Sequence, residues 1–475
     1  MQMTAKAELG MVGLGVMGRN FLLNIADHGF PVCGFDRDEE KIRQLERERG
    51  ARNVTGVKSL QELAASLSRP RAVMLLVPAG NAVDSVIGEI LPSLEQGDIL
   101  IDGGNSHYSD TDRRLKELQE KKIHFLGVGV SGGEYGARHG PSIMPGGPRE
   151  AYERVRPIFE AAAARVEEDP CVVWLGPGSA GHFVKMVHNG IEYALMELIA
   201  ESYDLLKRGL ELSNDELQAV YRRWNEGALN SFLVEITADI FGQKDERSEE
   251  FLIDRILDAA RQKGTGMWTS EDALEEQAPV PAIDMAVVAR NLSSLKEERE
   301  RASEALRGPD PRIPENRGRL VDRIENALHA AFILSFAQGM AFLGRASSDH
   351  NYGLKLDEVA RIWRGGCIIR AALLEEVRKA YRERPELPNL LLDQSLGGKV
   401  VALQEDLRFI VGLSSKHGIP SPGLMASLGY FDGYRSARLP ANLIQAQRDY
   451  FGSHTYERMD AVGSFHTEWN REENR

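Results

Sequence analysis

The chain has 475 residues, 42% hydrophobic and 27% charged, with a formal net charge of −13. That length exceeds one typical core, so two or three domains are expected. The acidic balance argues against a general nucleic-acid-binding surface, and no apolar run approaching the roughly 20 residues of a bilayer span stands out.

Leu9–Leu14 is a short apolar run that enters Gly13-Leu14-Gly15-Val16-Met17-Gly18. An amphipathic helix follows through about His28 and closes at Gly29. Strand, glycine turn and helix in that order form a dinucleotide fingerprint. Gly13 allows the tight turn, Gly15 admits a pyrophosphate to the backbone, and Gly18 lets helix and strand pack closely. The pyrophosphate is expected on the free N–H groups at the helix N-terminus. A second strand, Val32–Phe35, ends at Asp36, where an acidic side chain meets a ribose about twenty residues on. This context disfavours the alternative of a merely structural glycine turn. Ala72–Val77, Ile99–Asp102 and Ile123–Val130 continue as buried strands separated by helical segments, so a doubly wound parallel sheet is predicted. Ligands in such sheets bind beyond the strand C-termini. Two polar turns fall there, Gly103-Gly104-Asn105-Ser106 and Ser131-Gly132-Gly133. Each can aim N–H groups and short side chains at a carboxylate or a nicotinamide amide; each taken alone also reads as a tight turn.

Near Pro177 the strands stop, and helical periodicity runs from Gly181 to about Leu439. The first of these helices continues to Leu206 and places Lys185, His188, Asn189 and Glu192 on one face, at i, i+3, i+4 and i+7. Val184, Val187, Ile191, Leu195 and Leu198 recur on a different face, the pattern of a helix buried on one side. A Lys able to take a proton and a Glu able to give one, about two turns apart, form a candidate acid–base pair. An isolated pair at this spacing is ordinarily a solvated face. The length of the helix and the crowding of His188, Asn189 and Tyr193 favour chemistry.

The helical region carries a modest internal repeat. Leu217–Trp224 resembles Leu356–Trp363, each Trp precedes a glycine (Gly227, Gly366), and His188 and His329 stand at similar distances before them. A duplicated half-domain with a period of roughly 140 residues is expected. Only the first copy has the acid–base pair, since Asn326 and Ile333 stand at the matching offsets in the second. Gln262-Lys263-Gly264-Thr265-Gly266 suits an anionic oxygen, and Arg290 is a further candidate cation; either also reads as surface. Glu297–Pro314 is charged and reads as an exposed connector. After Tyr456 there is little apolar content with which to fold, so the tail is expected to be disordered or docked on something larger. Within it, Arg448, Tyr450 and His454 suit contact with an anion. Cys33, Cys171 and Cys367 lie far apart, with no disulfide framework and no metal-ligand spacing, which suits a reducing cytoplasm.

These residues resemble the 6-phosphogluconate dehydrogenases, decarboxylating oxidoreductases of the pentose phosphate pathway, nearly end to end. Ile101–Ser106, Ser131–Gly133, Gly181–Tyr193, Gln262–Gly266, Trp363–Arg370 and Leu439–Tyr456 carry the resemblance. It implies a Rossmann domain over residues 1–180 and a helical substrate and dimerisation domain, built by duplication, over 181–438. Residues 439–475 would be a tail that penetrates the partner subunit of a cytoplasmic homodimer. It implies that Lys185 takes the 3-hydroxyl proton of 6-phosphogluconate while hydride leaves C3 for NADP. After loss of CO2, Glu192 would protonate the enediol to give ribulose 5-phosphate. His188 and Asn189 would orient hydroxyls. Asn105, Ser131, Gly132 and Gly133 would hold the carboxylate end. Tyr193, Lys263, Thr265 and Arg290 would hold the phosphate end, joined by Arg448 and His454 from the other subunit. Gly13, Leu14, Gly15, Val16, Met17, Gly18, Asp36, Arg37, Asp38, Val77 and Asn105 would hold the cofactor. No metal is needed, because a β-keto acid decarboxylates when a cation sits on its ketone. For Lys185 to act as base near neutral pH its pKa must fall well below about 10.4, with burial and cations such as Lys263 as expected causes.

The chain departs from the resemblance at the cofactor. NADP-dependent members carry Asn-Arg-Thr or Asn-Arg-Ser where this chain has Asp36-Arg37-Asp38. Asp36 is placed to accept from a free 2′-hydroxyl, as in NAD enzymes, and both carboxylates would repel a 2′-phosphate, so reduced NADP preference or NAD preference is expected. Pro78 and Met267 replace lysines found in some members. Two other readings compete: a non-decarboxylating β-hydroxyacid dehydrogenase, disfavoured by Lys263, Arg290 and Arg448, and a nucleotide-binding regulator without catalysis, disfavoured by Lys185 and Glu192.

Overall fold

One seven-stranded sheet carries the N-terminal third of the chain. The computed structural model describes residues 6–261 and 264–469, in two compact units divided between Ser427 and Leu428. The first unit opens with β1 (Leu9–Val12), α1 (Val16–Asp27), β2 (Val32–Phe35), α2 (Glu39–Glu48), β3 (Val54–Gly56), α3 (Leu60–Ser66), β4 (Ala72–Leu75) and α4 (Asn81–Ile90). It continues through β5 (Ile99–Asp102), α5 (Tyr108–Glu120), β6 (His124–Ser131), α6 (Gly133–His139), β7 (Ser142–Gly146) and α7 (Arg149–Ala162). β1, β4 and β5 are buried throughout, as strands covered on both faces must be. The strand order is β3-β2-β1-β4-β5-β6-β7. β1 pairs in parallel with both β2 and β4, so the order reverses there and opens a crevice beyond their C-terminal ends. The sheet is not wholly parallel as expected: β7 runs antiparallel to β6. Its sequence, Ser-Ile-Met-Pro-Gly, ends in two residues depleted from strands, which hid it. A two-residue antiparallel pair, β8 (Arg165–Val166) with β9 (Asp169–Pro170), leads out of the sheet.

The helices begin with α8 (Ala180–Asp204), which ends in a π turn at Leu205–Gly209. α9 (Asn214–Asn225), α10 (Phe232–Gly242), α11 (Thr265–Glu275), α12 (Pro281–Ser293) and α13 (Lys296–Ala305) follow. Then come α14 (Arg317–Asp349), α15 (Leu356–Trp363), α16 (Leu373–Glu383), α17 (Gln394–Lys416) and α18 (Pro422–Tyr434). α8 packs directly on β6 and β7, so sheet and helices share the first unit.

Three expectations change. α8 is not buried on one side only: every residue from Ala180 to Ile191 is buried. The expected connector over 297–314 is partly helical, α13, with no buried residue. And α14 does hold an 18-residue window apolar enough to cross a bilayer, but 89% of that window is buried in the protein, which marks a core helix.

The repeated segments meet. Phe232 N–H donates to the Arg370 carbonyl and Ala372 N–H donates to the Asn230 carbonyl, each at 3.0 Å, so the turns entering α10 and α16 exchange one hydrogen bond each way. Trp224 and Trp363, which precede these turns, are both fully buried.

The second unit contains α19 (Ala441–Gly452) and the hairpin of β10 (Tyr456–Glu457) and β11 (Ser464–Phe465). The segment after Tyr456 is therefore organised rather than disordered through residue 469. Asp449 does this. Its buried carboxylate accepts from Thr455 N–H, His466 Nδ1, Thr467 N–H and Trp469 Nε1, at 2.8 to 3.1 Å. Polar bonds to one aspartate replace the apolar core the segment lacks.

Candidate active site

Alternation along β6 puts Gly127, Gly129 and Ser131 on one face, and α8 crosses that face. A Cβ at Gly129 would stand 2.4 Å from the Cβ of Lys185, and a Cβ at Gly181 would stand 2.3 Å from the carbonyls of Gly127 and Met144. Glycines on both partners let the two backbones approach, which fixes where Lys185 leaves the helix.

Lys185 is 6% exposed. Its Nζ donates to Asn189 Oδ1 at 2.6 Å and lies 3.5 Å from His188 Nδ1. His188 Nδ1 is 3.1 Å from Asn189 Oδ1 and 3.8 Å from Glu192 Oε2, while its Nε2 is 3.3 Å from Ser131 Oγ. A neutral imidazole protonated on Nδ1 satisfies this row, donating to Asn189 and accepting from Ser131. Burial lowers the Lys185 amine from its ordinary range, with the Glu192 charge opposing. Burial raises the Glu192 carboxyl, with Lys185 and Arg290 pulling it back. Burial also holds His188 well below its usual range, assisted by the Lys185 charge. The three shifts run toward a neutral lysine, a neutral histidine and a protonated glutamate, the states that a base, a hydroxyl-orienting group and an acid need.

Beyond Glu192 lies a cation. Arg290, on α12, lies over the Tyr193 ring with its guanidinium carbon 3.3 Å from the centroid. A Cβ at Gly266 would meet the same ring at 2.3 Å, so the start of α11, where Thr265 sits, closes on Tyr193. Tyr193, Thr265 and Arg290 are thus brought together. Lys263 lies outside the described residues. Gly132 and Gly133 sit at the α6 start with φ of 125° and 62°, next to Ser131. Arg448 is on α19 and His454 follows it, in the second unit.

The β5–α5 turn is held from below. Asp102, fully buried, accepts from Gly104 N–H at 3.0 Å, Ser106 Oγ at 2.6 Å and Arg114 Nη1 at 3.2 Å. Arg114, itself 1% exposed, also bonds both oxygens of Asp84 and the carbonyl of Gly80. His182 Nε2 lies 3.1 Å from the Asp102 carbonyl. Asn105 is exposed at the tip of this turn, between the anchored Gly104 and Ser106. The sequence reading missed Asp102, Arg114 and His182. Asp102 was legible as the acidic residue opening the polar turn; Arg114 was not, because it reads as one charge among many on α5.

At the β1/β4 crevice a cavity of 380 Å³ is lined by Gly13, Gly15, Asp36, Arg37, Lys41, Val77, Pro78, Val86 and Glu89, among others. Gly13 has φ of 97°, and a Cβ at Gly18 would stand 1.9 Å from the Gly13 carbonyl, so both glycines are demanded by the turn. A Cβ at Gly15 would meet no atom within 4 Å, which leaves the room a pyrophosphate needs. The side chain of Val16 is exposed and that of Met17 half-buried at the helix start. Leu14 is fully buried, and its N–H donates to Asp36 Oδ2 at 2.7 Å, while Asp38 N–H donates to Asp36 Oδ1 at 2.9 Å. Lys41 Nζ is 3.4 Å from the same carboxylate. The Asp38 carboxylate caps α2 through Glu40 N–H. Both aspartates thus already have partners.

Comparison with known proteins agrees with this geometry. The NAD binding domain of 6-phosphogluconate dehydrogenase matches residues 8–176, and the C-terminal domain of 6-phosphogluconate dehydrogenase matches residues 181–469. The chain belongs to the 6-phosphogluconate dehydrogenase family. It is 52% identical over 98% of its length, and 99% of the relative's, to the NADP(+)-dependent, decarboxylating 6-phosphogluconate dehydrogenase of Bacillus subtilis. It is 49% identical to the decarboxylating enzyme of Lactococcus lactis, over 99% and 100% of the two chains. The solved structure of the Plasmodium falciparum 6-phosphogluconate dehydrogenase, studied apo, with NADP+ and with 6-phosphogluconate, superposes with a TM-score of 0.95 at 45% identity. That superposition covers 97% of this chain and 100% of the other. The family's two-part build, a Rossmann sheet followed by a large helical region, is the one observed.

Proposed function

We propose that this chain oxidatively decarboxylates 6-phospho-D-gluconate to D-ribulose 5-phosphate and CO2, with hydride transfer to a nicotinamide dinucleotide. The buried row Lys185–Asn189–His188–Ser131 with Glu192 beside it carries the reading. The bound dinucleotide supplies the hydride acceptor. Neutral Lys185 takes the proton of the C3 hydroxyl as the C3 hydride departs, leaving a 3-keto acid. The ammonium so formed hydrogen-bonds the new ketone, and the C1–C2 bond breaks with its electron pair moving toward that oxygen. CO2 leaves, and an enediol remains. Glu192 gives its proton to the former C2, which becomes C1 of the product. His188 and Asn189 hold the hydroxyls. Asn105, Ser131, Gly132 and Gly133 take the carboxylate, and Tyr193, Thr265, Arg290 and Lys263 take the phosphate.

Gly13, Leu14, Gly15, Val16, Met17, Gly18, Asp36, Arg37 and Val77 shape the dinucleotide seat, with Asp38 capping α2 behind it. The Bacillus subtilis relative is named for NADP(+). Here Asp36 lines the cavity and favours a free 2′-hydroxyl, so NAD competes with NADP or exceeds it. The active form is a cytoplasmic homodimer in which Arg448 and His454 reach the partner's phosphate subsite. The exposed Leu443, Ile444, Tyr450 and Phe451 of α19 support a buried role for that helix in an assembly.

Steady-state reduction of NADP and NAD with 6-phosphogluconate, with CO2 release followed in parallel, tests the reading. Stoichiometric CO2 supports it, and reduction without CO2 would return the chain to the non-decarboxylating class. Lys185→Met should lower kcat by about three orders of magnitude or more.

A further inference from the structure

The dinucleotide cavity has two walls. One is the end of β2 and the start of α2, with Asp36, Arg37 and Lys41; the other is α4, with Ala82, Val86 and Glu89 at i, i+4 and i+7. Arg37 spans them. Its Nη2 donates to Glu89 Oε1 at 2.5 Å and to Ser85 Oγ at 3.1 Å, and Ser85 Oγ donates to the same Glu89 oxygen at 2.9 Å. The other cation of the cavity, Lys41, faces Asp36. Each positive charge that a 2′-phosphate would seek is therefore already paired. Asp38 is absent from the lining and committed to the α2 cap, so beside Arg37 a 2′-phosphate meets Glu89 in addition to Asp36.

We propose that Glu89 is a cofactor-specificity determinant of this chain: it holds Arg37 against α4 and so selects against a dinucleotide bearing a 2′-phosphate. The proposal rests on the reading that this cavity seats the adenosine end of the dinucleotide. A 2′-hydroxyl leaves the Arg37–Glu89 pair intact and can donate to Asp36. A 2′-phosphate must take Arg37 from Glu89 and then lie beside the carboxylate it displaced. Both penalties fall on NADP alone. They are modest, because both side chains are about half exposed and an exposed pair is weak and screened by salt.

The test is binding of NADP+ and of NAD+ to the full-length protein by calorimetry, in wild type, Glu89→Gln, Arg37→Gln, the double variant and Gly15→Val. Glu89→Gln should tighten NADP+ about three- to fivefold and leave NAD+ within about twofold. The gain should vanish in the Arg37→Gln background. No change in NADP+ affinity, an equal gain for NAD+, or a gain that survives without Arg37 would overturn the proposal. Gly15→Val checks the underlying reading separately. Gly15 has an ordinary φ of −60° and open space at its Cβ, so the variant keeps the fold while filling the seat. Loss of both dinucleotides in Gly15→Val with no effect of Glu89→Gln removes Glu89 alone. Undiminished binding of both in Gly15→Val removes the cavity reading and the Glu89 proposal with it.

Discussion

A buried amine has two ways to meet the cost of its charge: find a counter-ion or lose its proton. Lys185 has an amide oxygen at 2.6 Å where a carboxylate would fit, so its hydrogen bond comes without a neutralising charge. Asn189→Asp should supply that charge and hold Lys185 protonated. The expected result is lower kcat/KM near neutral pH and an optimum displaced to higher pH by roughly one to three units; a merely structural defect would lower the profile without moving it. This side-chain row was legible in the sequence because four polar residues at helical spacing fall within one helix. The partner of Arg37 was not. Glu89 lies 52 residues away, and only the strand order places α4 opposite the end of β2. Hence the sequence alone points to Asp36 and Asp38 for cofactor repulsion and passes over Glu89; of the two, Asp36 lines the cavity and Asp38 caps α2.

Among the elements, α8 does two jobs. Its first half presents Lys185, His188, Asn189 and Glu192, and its second half buries Glu201, whose two oxygens accept from Gly423 and Leu424 N–H at the start of α18. Burial raises this carboxyl to about 8, with those two N–H bonds opposing. The folded state therefore binds more protons than the unfolded between about 4.5 and about 8, and the stability from this group is full below that window and lost as pH rises through it. Glu201→Gln should flatten the dependence of thermal unfolding on pH between 5 and 8. Glu201→Ala should cost roughly 1–3 kcal/mol, because two buried N–H groups lose their partner. The existence of α8 and its extent were readable from periodicity; its burial on all sides was not, since polar groups paired with one another are indistinguishable in sequence from polar groups facing water.

For the whole molecule, the question is whose tail serves which site. If Arg448 and His454 act on a partner, sites are shared and the two defects can complement. Inactive Lys185→Met and Arg448→Ala proteins, unfolded together and refolded as a mixture, should regain up to about a quarter of wild-type activity, since half the dimers are mixed and one site of each is intact. Recovery near zero would place both groups in one subunit's site. The two-part fold was legible from alternation giving way to helical period. The organisation of the tail was not, because Asp449 looks in sequence like any exposed aspartate.

The exchange of two hydrogen bonds between the turns that enter α10 and α16 has a consequence for the chain's continuity. The halves recognise one another through α8 on α14 and through that seam, while the peptide that joins them near Arg307–Asp310 is exposed and irregular. Covalent linkage is then a convenience of synthesis. A chain severed there and expressed as two polypeptides should reassemble into one particle, and a protease that nicks the joint should leave the enzyme whole in every sense but its gel pattern.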